Sequence, residues 1–370
     1  MIIAFDAKWF YNGNVSGRSV VTNMVKRFSI DHSNHTFYII LNKNDKSKKF
    51  PYQSKNIKLL YVRKIINNQI TNIFLAYKLQ KLKIDIGVFQ YYAPVFSYFK
   101  TVVYIHDVIF KSNPEYFTLR ERIYFSSMRY FASLSDAVVT VSKTEINRLL
   151  KYSFFPKTGL IDFVYNGVDD KFKPANIQID AEVNSVKIKY SLPEKYILYV
   201  GRLNNRKNLL GLIESLNYIQ NKDIKLVLVG SYDWKSFDIE VKIRELNLRS
   251  RIILLGHVHS EDLPILYSIS TAFCYVSFAE GFGIPVLEAL KSGVPVVVSE
   301  LDVFKELFTE IPYYVDPYSP ISIAHGINRV LSSENQLRIE EGLSLAKNFS
   351  WEASAQKLIL FLENIRRESI

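Results

Sequence analysis

The chain has 370 residues, of which 48% are hydrophobic and 22% charged, and 47 Lys and Arg against 36 Asp and Glu give a formal net charge of +11. This length predicts two domains, and this composition excludes disorder over most of the chain. The sequence has no uncharged apolar run of the roughly 18 residues that a membrane span needs, and its start is not that of a signal peptide. Cys274, in the apolar run TAFCYV, is expected to be a small buried side chain in a reduced compartment. We therefore expect a soluble, cytoplasmic protein.

Short β-branched runs alternate with helical patterns along the whole chain, which predicts parallel sheets covered by helices. In the first half the predicted strands are 2–7, 36–41, 57–62, 86–90, 101–105, 137–141 and 160–165, and the main helical patterns are 70–82 and 119–134. In the second half the predicted strands are 196–201, 224–230, 251–256, 271–276 and 294–299, and the helical patterns are 208–220, 237–247, 261–269, 284–292 and 321–331. Each half is typical of a Rossmann-like unit.

The polar segment 171–194 contains two prolines and no long apolar run, and it is the predicted linker. We therefore expect an N-terminal domain over 1–175 and a C-terminal domain over 176–350. Two such units that face each other surround one cleft with the carboxyl ends of their strands. Because ligands bind outside those ends at the topological switch point, functional residues should directly follow strands.

The charge is unevenly distributed between the two halves. Residues 1–175 carry 26 Lys and Arg against 12 Asp and Glu, a net of +14, whereas 176–370 carry 21 against 24, a net of −3. This asymmetry indicates an anionic partner, such as nucleic acid, anionic lipid or a phosphorylated acceptor, unless the surface is merely solvated. We expect no nucleic acid, because no zinc-finger spacing or RNP-type strand accompanies the charge. The densest cluster consists of Lys43, Lys46, Lys48, Lys49, Lys55, Lys58, Arg63 and Lys64.

Two segments that follow predicted strands contain residues suited to bind a phosphorylated ligand. The first starts at Gly201 and contains Arg202 and Lys207 just before a helix. Exposed N–H groups at a helix start and two cations suit a diphosphate, although an ordinary cationic loop remains an alternative. The second segment, 277–288, reads SFAEGFGIPVLE.

In the second segment Glu280 and Glu288 are eight residues apart, with a glycine turn and a helix start between them. Gly281 and Gly283 permit close approach of the backbone to a ligand. Pro285 suits the first turn of a helix, where a missing N–H costs little. Glu280 can bind sugar hydroxyls, whereas Glu288 could also be a solvated helix residue.

Weaker signals lie in the first half. His106 and Asp107 follow the strand 101–105, which places an imidazole of near-neutral pKa at the edge of a sheet, although a lone His is more often structural. The loop 12–19 contains Gly13 and Gly17 and leads into a helix at about Val20, but it does not spell GxGxxG. The sequence also has no GxxxxGK[ST], HExxH or DxD motif, so we expect no metal and no resident cofactor.

Together these residues resemble the retaining family 4 glycosyltransferases of the GT-B fold. The resemblance rests on Gly201-Arg202 with Lys207, and on Glu280-Gly281-Phe282-Gly283-Ile284-Pro285 ending in Glu288; His106-Asp107, Tyr165-Asn166-Gly167-Val168-Asp169 and Gly256-His257-Val258 support it. It covers essentially the whole chain. It departs from the family at the first glycine loop, where Ser16 precedes Gly17-Arg18.

The resemblance implies an α/β GT-B fold, with two Rossmann-like domains whose parallel sheets face each other across a cleft. The C-terminal domain would bind a nucleotide-sugar and the N-terminal domain the acceptor. The final helix, 351–370, would return to the N-terminal domain.

The resemblance also implies a role for each site residue. Arg202 and Lys207 would neutralise the diphosphate in place of a metal. Glu280 would contact the donor sugar, and Glu288 the ribose. The N–H groups of Gly283 and Ile284 would hold the sugar or the phosphates, and His106 would contact the donor sugar. Gly17 would lie at the acceptor side.

We therefore expect a metal-independent, retaining hexosyltransferase, with GDP-mannose as the first candidate donor. The expected acceptor is a polyprenyl-diphosphate-linked glycan of a bacterial surface polysaccharide, such as an O antigen, at the cytoplasmic face of an anionic membrane. Aromatic residues of the first half, among them Tyr91, Phe96 and Tyr98, could line the acceptor site. The alternatives are an epimerase or phosphorylase of the same fold and a non-catalytic nucleotide-sugar-binding protein.

Overall fold

The computed structural model describes residues 1–13, 15–63, 65, 68–231, 239–332 and 334–367. Asn14 of the predicted glycine loop, Lys64 of the basic cluster and residues 368–370 of the predicted last helix lie outside the described residues. The chain divides into two compact units: unit 1 is Met1–Gly167 with Ser350–Ile370, and unit 2 is Val168–Phe349. The boundary expected at 175/176 thus falls inside unit 2, where the N–H of Val168 donates to the carbonyl of Phe349 at 2.9 Å.

Among its described residues, unit 1 contains a seven-stranded parallel sheet of order β3-β2-β1-β4-β5-β6-β7. Its strands are β1 (Ile2–Asp6), β2 (Thr36–Asn42), β3 (Ile57–Val62), β4 (Ile86–Gln90), β5 (Lys100–Tyr104), β6 (Ala137–Thr140) and β7 (Leu160–Phe163). Every residue of β4 and β6 is buried, as expected for parallel strands that helices cover on both faces. Each strand predicted in this half is present, with its ends within one or two residues.

The helices of unit 1 differ from the predicted ones in two respects: the first helix begins before Val20, and the pattern 119–134 forms two helices, 119–126 and 128–134, instead of one. They are α1 (Val15–Asp31), α2 (Asn68–Lys81), α3 (Ile109–Ser112), α4 (Leu119–Ser126), α5 (Met128–Leu134) and α6 (Lys143–Lys151). The expected helix start at Val20 is wrong, and Gly17 lies in the first turn of α1 rather than in a loop. Asn12 donates to Asp45 at 2.8 Å, which joins the loop after β1 to the segment after β2.

The described residues of unit 2 form a six-stranded parallel sheet of order β10-β9-β8-β11-β12-β13. This order repeats that of the first six strands of the unit 1 sheet. Its strands are β8 (Tyr196–Val200), β9 (Lys225–Val229), β10 (Ile252–Gly256), β11 (Ala272–Tyr275), β12 (Val296–Ser299) and β13 (Tyr313–Val315). The sequence did not predict β13, because three residues give too short a pattern. Cys274 is buried in β11, as predicted.

The segment expected to be a linker is instead part of unit 2. The helices of this unit are α7 (Asp180–Lys189), α8 (Leu209–Ser215), α9 (Ile239–Glu245), α10 (Leu263–Ser268), α11 (Ile284–Lys291), α12 (Asp302–Phe308), α13 (Pro320–Ser332) and α14 (Gln336–Ala346). Helix α7 lies inside 171–194, and it looks polar because Val186 alone is buried among its described residues. Lys189 and Tyr190 both donate to Asp262 at 2.7 Å, which attaches α7 to the rest of unit 2.

The last helix, α15 (Trp351–Arg367), belongs to unit 1. The Ser354 hydroxyl donates to the carbonyl of Tyr165 at 2.6 Å. The Lys357 ammonium lies 3.3 Å from Asp162, and Glu363 lies 3.4 Å from His35. The apolar face of α15 is buried, as its pattern predicts for a helix packed on a sheet layer.

Candidate functional site

Two loops of unit 2 meet at the switch point of its sheet. Strands β8 and β11 are neighbours although they are not consecutive in the chain, and in this fold such a switch point is where ligands bind. The loop after β8 carries Arg202 and Lys207, and the loop after β11 carries Glu280. The N–H of Phe278 donates to the carbonyl of Arg206 at 2.9 Å, so the two loops are joined through their backbones.

Glu280 and two cations form the centre of this site. The Lys207 ammonium donates to Glu280 Oε1 at 2.5 Å, and Arg206 Nη1 lies 3.3 Å from Glu280 Oε2. Lys207 and Glu280 are each 7% exposed. Lys207 also donates to the hydroxyl of Tyr275, and its ammonium lies 4.7 Å from the centre of that ring. The sequence-predicted residues Lys207 and Glu280 are thus in direct contact.

The electrostatics of the cluster keep Glu280 ionised. Burial alone would raise the pKa of this carboxyl, but the Lys207 ammonium and the Arg206 guanidinium lower it to about 2. Burial and the nearby Glu280 raise the pKa of Tyr275, so its hydroxyl stays protonated. Two cations and one carboxylate leave the cluster with a net positive charge, which suits an anionic ligand.

Arg202 differs from Lys207, because its side chain is exposed and makes no ion pair or hydrogen bond with a described residue. Its carbonyl accepts a hydrogen bond from Tyr199 at 2.9 Å, which fixes the backbone at the end of β8. The guanidinium therefore extends from a rigid backbone into solvent. It can bind two oxygens of a phosphate without first breaking an internal contact.

Gly283 begins α11 in a conformation that only glycine adopts easily. Its φ is +114°, and a Cβ there would lie 2.7 Å from the Phe304 ring. Ile284 and Pro285 then form the first turn of α11, as the sequence predicts. The N–H groups at this helix start provide partial positive charge close to a ligand at the β11 loop.

Glu288 lies in a separate network from Glu280. It is half-buried within α11 and accepts a hydrogen bond from the Tyr267 hydroxyl at 2.8 Å. Burial raises the pKa of Glu288 to about 7, more than the Tyr267 hydrogen bond and the nearby Lys171 lower it. The two glutamates of the sequence motif therefore differ in charge near neutral pH.

His106 lies in unit 1, after β5, with one ring nitrogen engaged. Its Nε2 lies 2.8 Å from Gln90 Oε1, and Gln90 Nε2 donates to the carbonyl of Asp6 at 3.3 Å. Gln90 Oε1 is therefore the acceptor, so His106 Nε2 carries the proton. His106 Nδ1 makes no hydrogen bond with a described residue and can accept one from a ligand hydroxyl.

The expectation of a near-neutral pKa for His106 is wrong. Burial lowers it to about 3, and the imidazole stacks on Tyr104 with ring centres 4.8 Å apart. The ring is therefore neutral under physiological conditions, and it can accept a hydrogen bond but cannot supply a positive charge. Gly17 is buried in α1 of the same unit.

Sequence reasoning missed three residues of these sites: Arg206, Tyr275 and Gln90. Arg206 precedes Lys207 directly in the cationic loop, and this position alone makes it a candidate ligand-binding residue. Tyr275 and Gln90 are the last residues of strands β11 and β4. The sequence rule selects residues that follow a strand, so it does not select these two. Among the described residues no group of three His, Cys, Asp or Glu side chains lies close enough together to hold a metal ion.

Comparisons with known proteins identify the family and the fold of this chain. The profile of Glycosyl transferases group 1 matches residues 180–343, and that of Glycosyltransferase Family 4 matches residues 20–172. The chain is 30% identical to the O-antigen chain mannosyltransferase B of Escherichia coli over 262 residues, which are 68% of this chain and 67% of that protein. The match to the E. coli serotype-specific mannosyltransferase WbdA is 27% identical and spans 70% of this chain but 33% of that protein.

Solved structures share the fold over nearly the whole chain. The sucrose-phosphate synthase from Thermosynechococcus elongatus aligns with a TM-score of 0.79 and 18% identity, covering 99% of both chains. Anabaena Alr3699/HepE, solved in complex with UDP and glucose, aligns with a TM-score of 0.73 and 17% identity, covering 98% of this chain and 100% of that one. The fold is the α/β GT-B fold, as predicted. The chain belongs to family 4 of the glycosyltransferases.

Proposed function

We propose that this glycosyltransferase moves a mannosyl residue from a nucleotide-sugar, with GDP-mannose as the first candidate, to a lipid-linked glycan of a bacterial surface polysaccharide. The observation that carries this proposal is the Lys207–Glu280–Arg206 cluster at the switch point of unit 2. A net positive site with a fixed carboxylate suits a ligand that combines a diphosphate and a sugar. The relatives named O-antigen mannosyltransferases support the choice of mannose.

In the proposed reaction Arg202 and Lys207 bind the diphosphate and stabilise it as the glycosidic bond breaks. Glu280, the N–H groups of Gly283 and Ile284, and Glu288 hold the donor. We assign His106 Nδ1 of unit 1 to a hydroxyl group of a substrate sugar, because the unprotonated nitrogen of a neutral imidazole can accept a hydrogen bond.

We propose that configuration is retained without a covalent intermediate. Glu280 is held in two ion pairs and has a pKa of about 2, so it is a weak nucleophile. The leaving phosphate oxygen would take the acceptor proton. Retention is tested by the one-bond coupling constant between C1 and H1 of the transferred mannose in NMR. An inverted anomeric configuration in the product would contradict it.

We place the lipid diphosphate of the proposed acceptor in a surface cavity of unit 1. The cavity has a volume of about 300 Å³ and is lined by Phe110, Lys111, Pro114, Leu119, Arg122, Ile123 and Ser126. Apolar side chains with two cations match the two parts of a prenyl diphosphate, a hydrocarbon chain and an anionic head. Replacing both Lys111 and Arg122 with Ser should raise the KM for a lipid acceptor more than the KM for the donor.

The surface of unit 1 supports attachment to an anionic membrane. Among the described residues of the basic cluster, Lys43, Lys46, Lys48, Lys49, Lys55, Lys58 and Arg63 are all exposed. Helix α4 exposes Leu119 (67%) and Ile123 (63%) beside the cations Arg120 and Arg122. Apolar side chains beside cations are typical of helices that lie at a lipid surface. No helix in the described part of the chain is both long and apolar enough to cross a membrane.

The experiment that tests the proposed function is a panel of nucleotide-sugars offered with a polyprenyl-diphosphate-linked glycan. Transfer is read from the mass of the product, and a soluble uncharged acceptor is the control. We expect a gain of one hexose from GDP-mannose on the lipid-linked acceptor. Donor binding without transfer to any acceptor, or transfer from another donor only, would contradict the proposal.

A further inference from the structure

Three aromatic side chains lie together where three neighbouring strands of unit 1 end. Trp9 follows β1, Tyr91 follows β4 and His106 follows β5, and all three are half-buried. The ring centre of Trp9 lies 5.3 Å from that of Tyr91 and 5.5 Å from that of His106. Strands β1 and β4 are paired although they are not consecutive, so they form the switch point of this sheet. The cluster thus lies where this type of sheet binds ligands.

The backbone around Tyr91 is strained. Its φ is +64°, and the N–H of Tyr92 donates to the carbonyl of Gln90 at 2.8 Å, which closes a γ-turn around Tyr91. A γ-turn with positive φ is rare, and a bulky residue in this conformation persists only where the surrounding structure enforces it. Strained residues of this kind cluster at binding sites. In this conformation the Tyr91 ring contacts both Trp9 and His106 at the edge of the core.

The glycine loop after β1 supports the position of Trp9. A Cβ on Gly13 would lie 2.6 Å from the Cβ of Trp9 and 2.8 Å from its carbonyl oxygen. Any side chain at position 13 would therefore displace Trp9. This close packing gives the glycine a role that does not involve phosphate.

We propose that Trp9 is a stacking platform for a pyranose ring of the acceptor glycan and that Tyr91 is its positioning residue. This inference rests on the proposed transfer to a glycan acceptor. One face of a pyranose presents C–H groups, which pack favourably on the negative face of an aromatic ring. Burial raises the pKa of the Tyr91 phenol, and the nearby Asp107 raises it further. The half-buried Asp107 carboxylate provides a further acceptor for hydroxyl groups. Its negative charge disfavours an anionic ligand at this position.

A row of rings connects this platform with the cavity proposed for the lipid diphosphate. Phe110, which lines the cavity, lies 5.5 Å from Phe125, and Phe125 lies 6.2 Å from Tyr91. The platform and the cavity are therefore parts of one continuous aromatic layer within unit 1. In this arrangement one acceptor places its diphosphate at the cavity and a sugar at Trp9, near His106.

The test measures binding of a soluble α-linked mannotriose to the full chain without donor or lipid, by calorimetry and by saturation-transfer NMR. We expect Trp9→Leu and Gly13→Ala each to weaken binding about tenfold or more, as for loss of a stacking side chain. Trp9→Phe should restore part of the affinity. Phe74→Leu is the matched control, because Phe74 is 64% exposed on the same unit and makes no ring contact with a described residue.

Several outcomes would overturn the platform. The first is equal affinity of the wild type and Trp9→Leu, and the second is an equal loss of affinity in Trp9→Leu and Phe74→Leu. The third is no binding of mannotriose to the wild type at roughly tens of millimolar. Thermal melts show whether each variant is folded, and Trp9→Phe keeps the test valid if Trp9→Leu is not. The binding assay needs no donor, so it is independent of transfer. If mannotriose binding depends on Trp9 but the wild type transfers no mannose, the platform is supported and the proposed function alone fails.

Discussion

Removing the ammonium of Lys207 should destabilise unit 2, because it leaves Glu280 buried with one cation fewer. Lys207→Met keeps an apolar chain of similar length and removes the donor that lies 2.5 Å from Glu280. Arg206, at 3.3 Å, remains as partial compensation. Breaking a buried ion pair by removing one partner costs about 3–5 kcal/mol. We expect a loss in the free energy of unfolding near the lower end of that range.

The pKa of Glu280 determines how the stability of the wild type depends on pH. It falls from 4.5 to about 2 on folding, and at about 1.4 kcal/mol per pKa unit this corresponds to about 3 kcal/mol of stability. Since the folded-state pKa is the lower one, this stability is fully present above pH 4.5 and is lost as the pH falls through 2. In Lys207→Met the pKa of Glu280 rises, because burial then outweighs the remaining attraction. The difference between wild type and variant should therefore shrink below pH 4.5.

Urea unfolding of four proteins at pH 7 and pH 4 measures this effect: wild type, Lys207→Met, Lys207→Met with Glu280→Gln, and Arg202→Met. The double variant should recover part of the lost stability, because the buried carboxylate is gone. Arg202→Met is the matched control, because Arg202 lies in the same loop and its guanidinium has no partner among the described residues. This variant should unfold like the wild type. A Lys207→Met variant as stable as the wild type at pH 7, or a double variant less stable than the single one, would refute the reasoning.

Arg202→Ala should lower transfer by about 10²–10³ while leaving unfolding unchanged, because the lost contact is made only to the ligand; an unchanged kcat/KM would contradict this role. Burial raises the folded-state pKa of Glu288 to about 7, so the stability that this carboxyl contributes is present below pH 4.5 and is lost as the pH rises through 7. In thermal melts Glu288→Gln should therefore be more stable than the wild type at pH 8 and should lose that advantage at pH 5. Transfer should persist in excess EDTA, and activity that disappears and returns with Mg²⁺ or Mn²⁺ would show that a metal is required. Binding to anionic vesicles should fall steeply with salt, since exposed charges are screened over about 8 Å at physiological ionic strength, and salt-independent binding would point to apolar insertion instead.

The sequence was most informative where the pattern of a whole element was long or unusual. Strands with continuous apolar runs, such as β4 and β9, could be placed because parallel strands are buried on both faces. The Glu280 to Glu288 segment could be placed because a glycine turn, a proline and a helix pattern occur in the order that a loop entering a helix needs. Both Glu280 and Gly283 lie where that order predicts.

Other features depend on contacts that no local pattern records. Helix α7 has one buried position among its described residues, so its sequence resembles that of a polar linker. Its attachment to unit 2 depends on Asp262, which lies more than 70 residues away in the chain. The low pKa of His106 results from burial against Tyr104 and neighbouring strands, whereas the residue type alone predicts a value near 6.5. Tyr275 looks like part of a buried strand, and its contact with Lys207 arises only because β8 and β11 become neighbours.

The position of α15 has a consequence for the order in which the protein is made. Unit 2 is continuous in sequence, from Val168 to Phe349, whereas unit 1 needs residues from both sides of it. During synthesis, residues 1–167 leave the ribosome first but lack the helix that holds Tyr165 through Ser354. Unit 2 is therefore the first unit whose residues are all available to fold, and unit 1 stays incomplete until α15 emerges. A truncation before Trp351 should leave unit 2 able to fold and deprive unit 1 of the helix that packs beside α1.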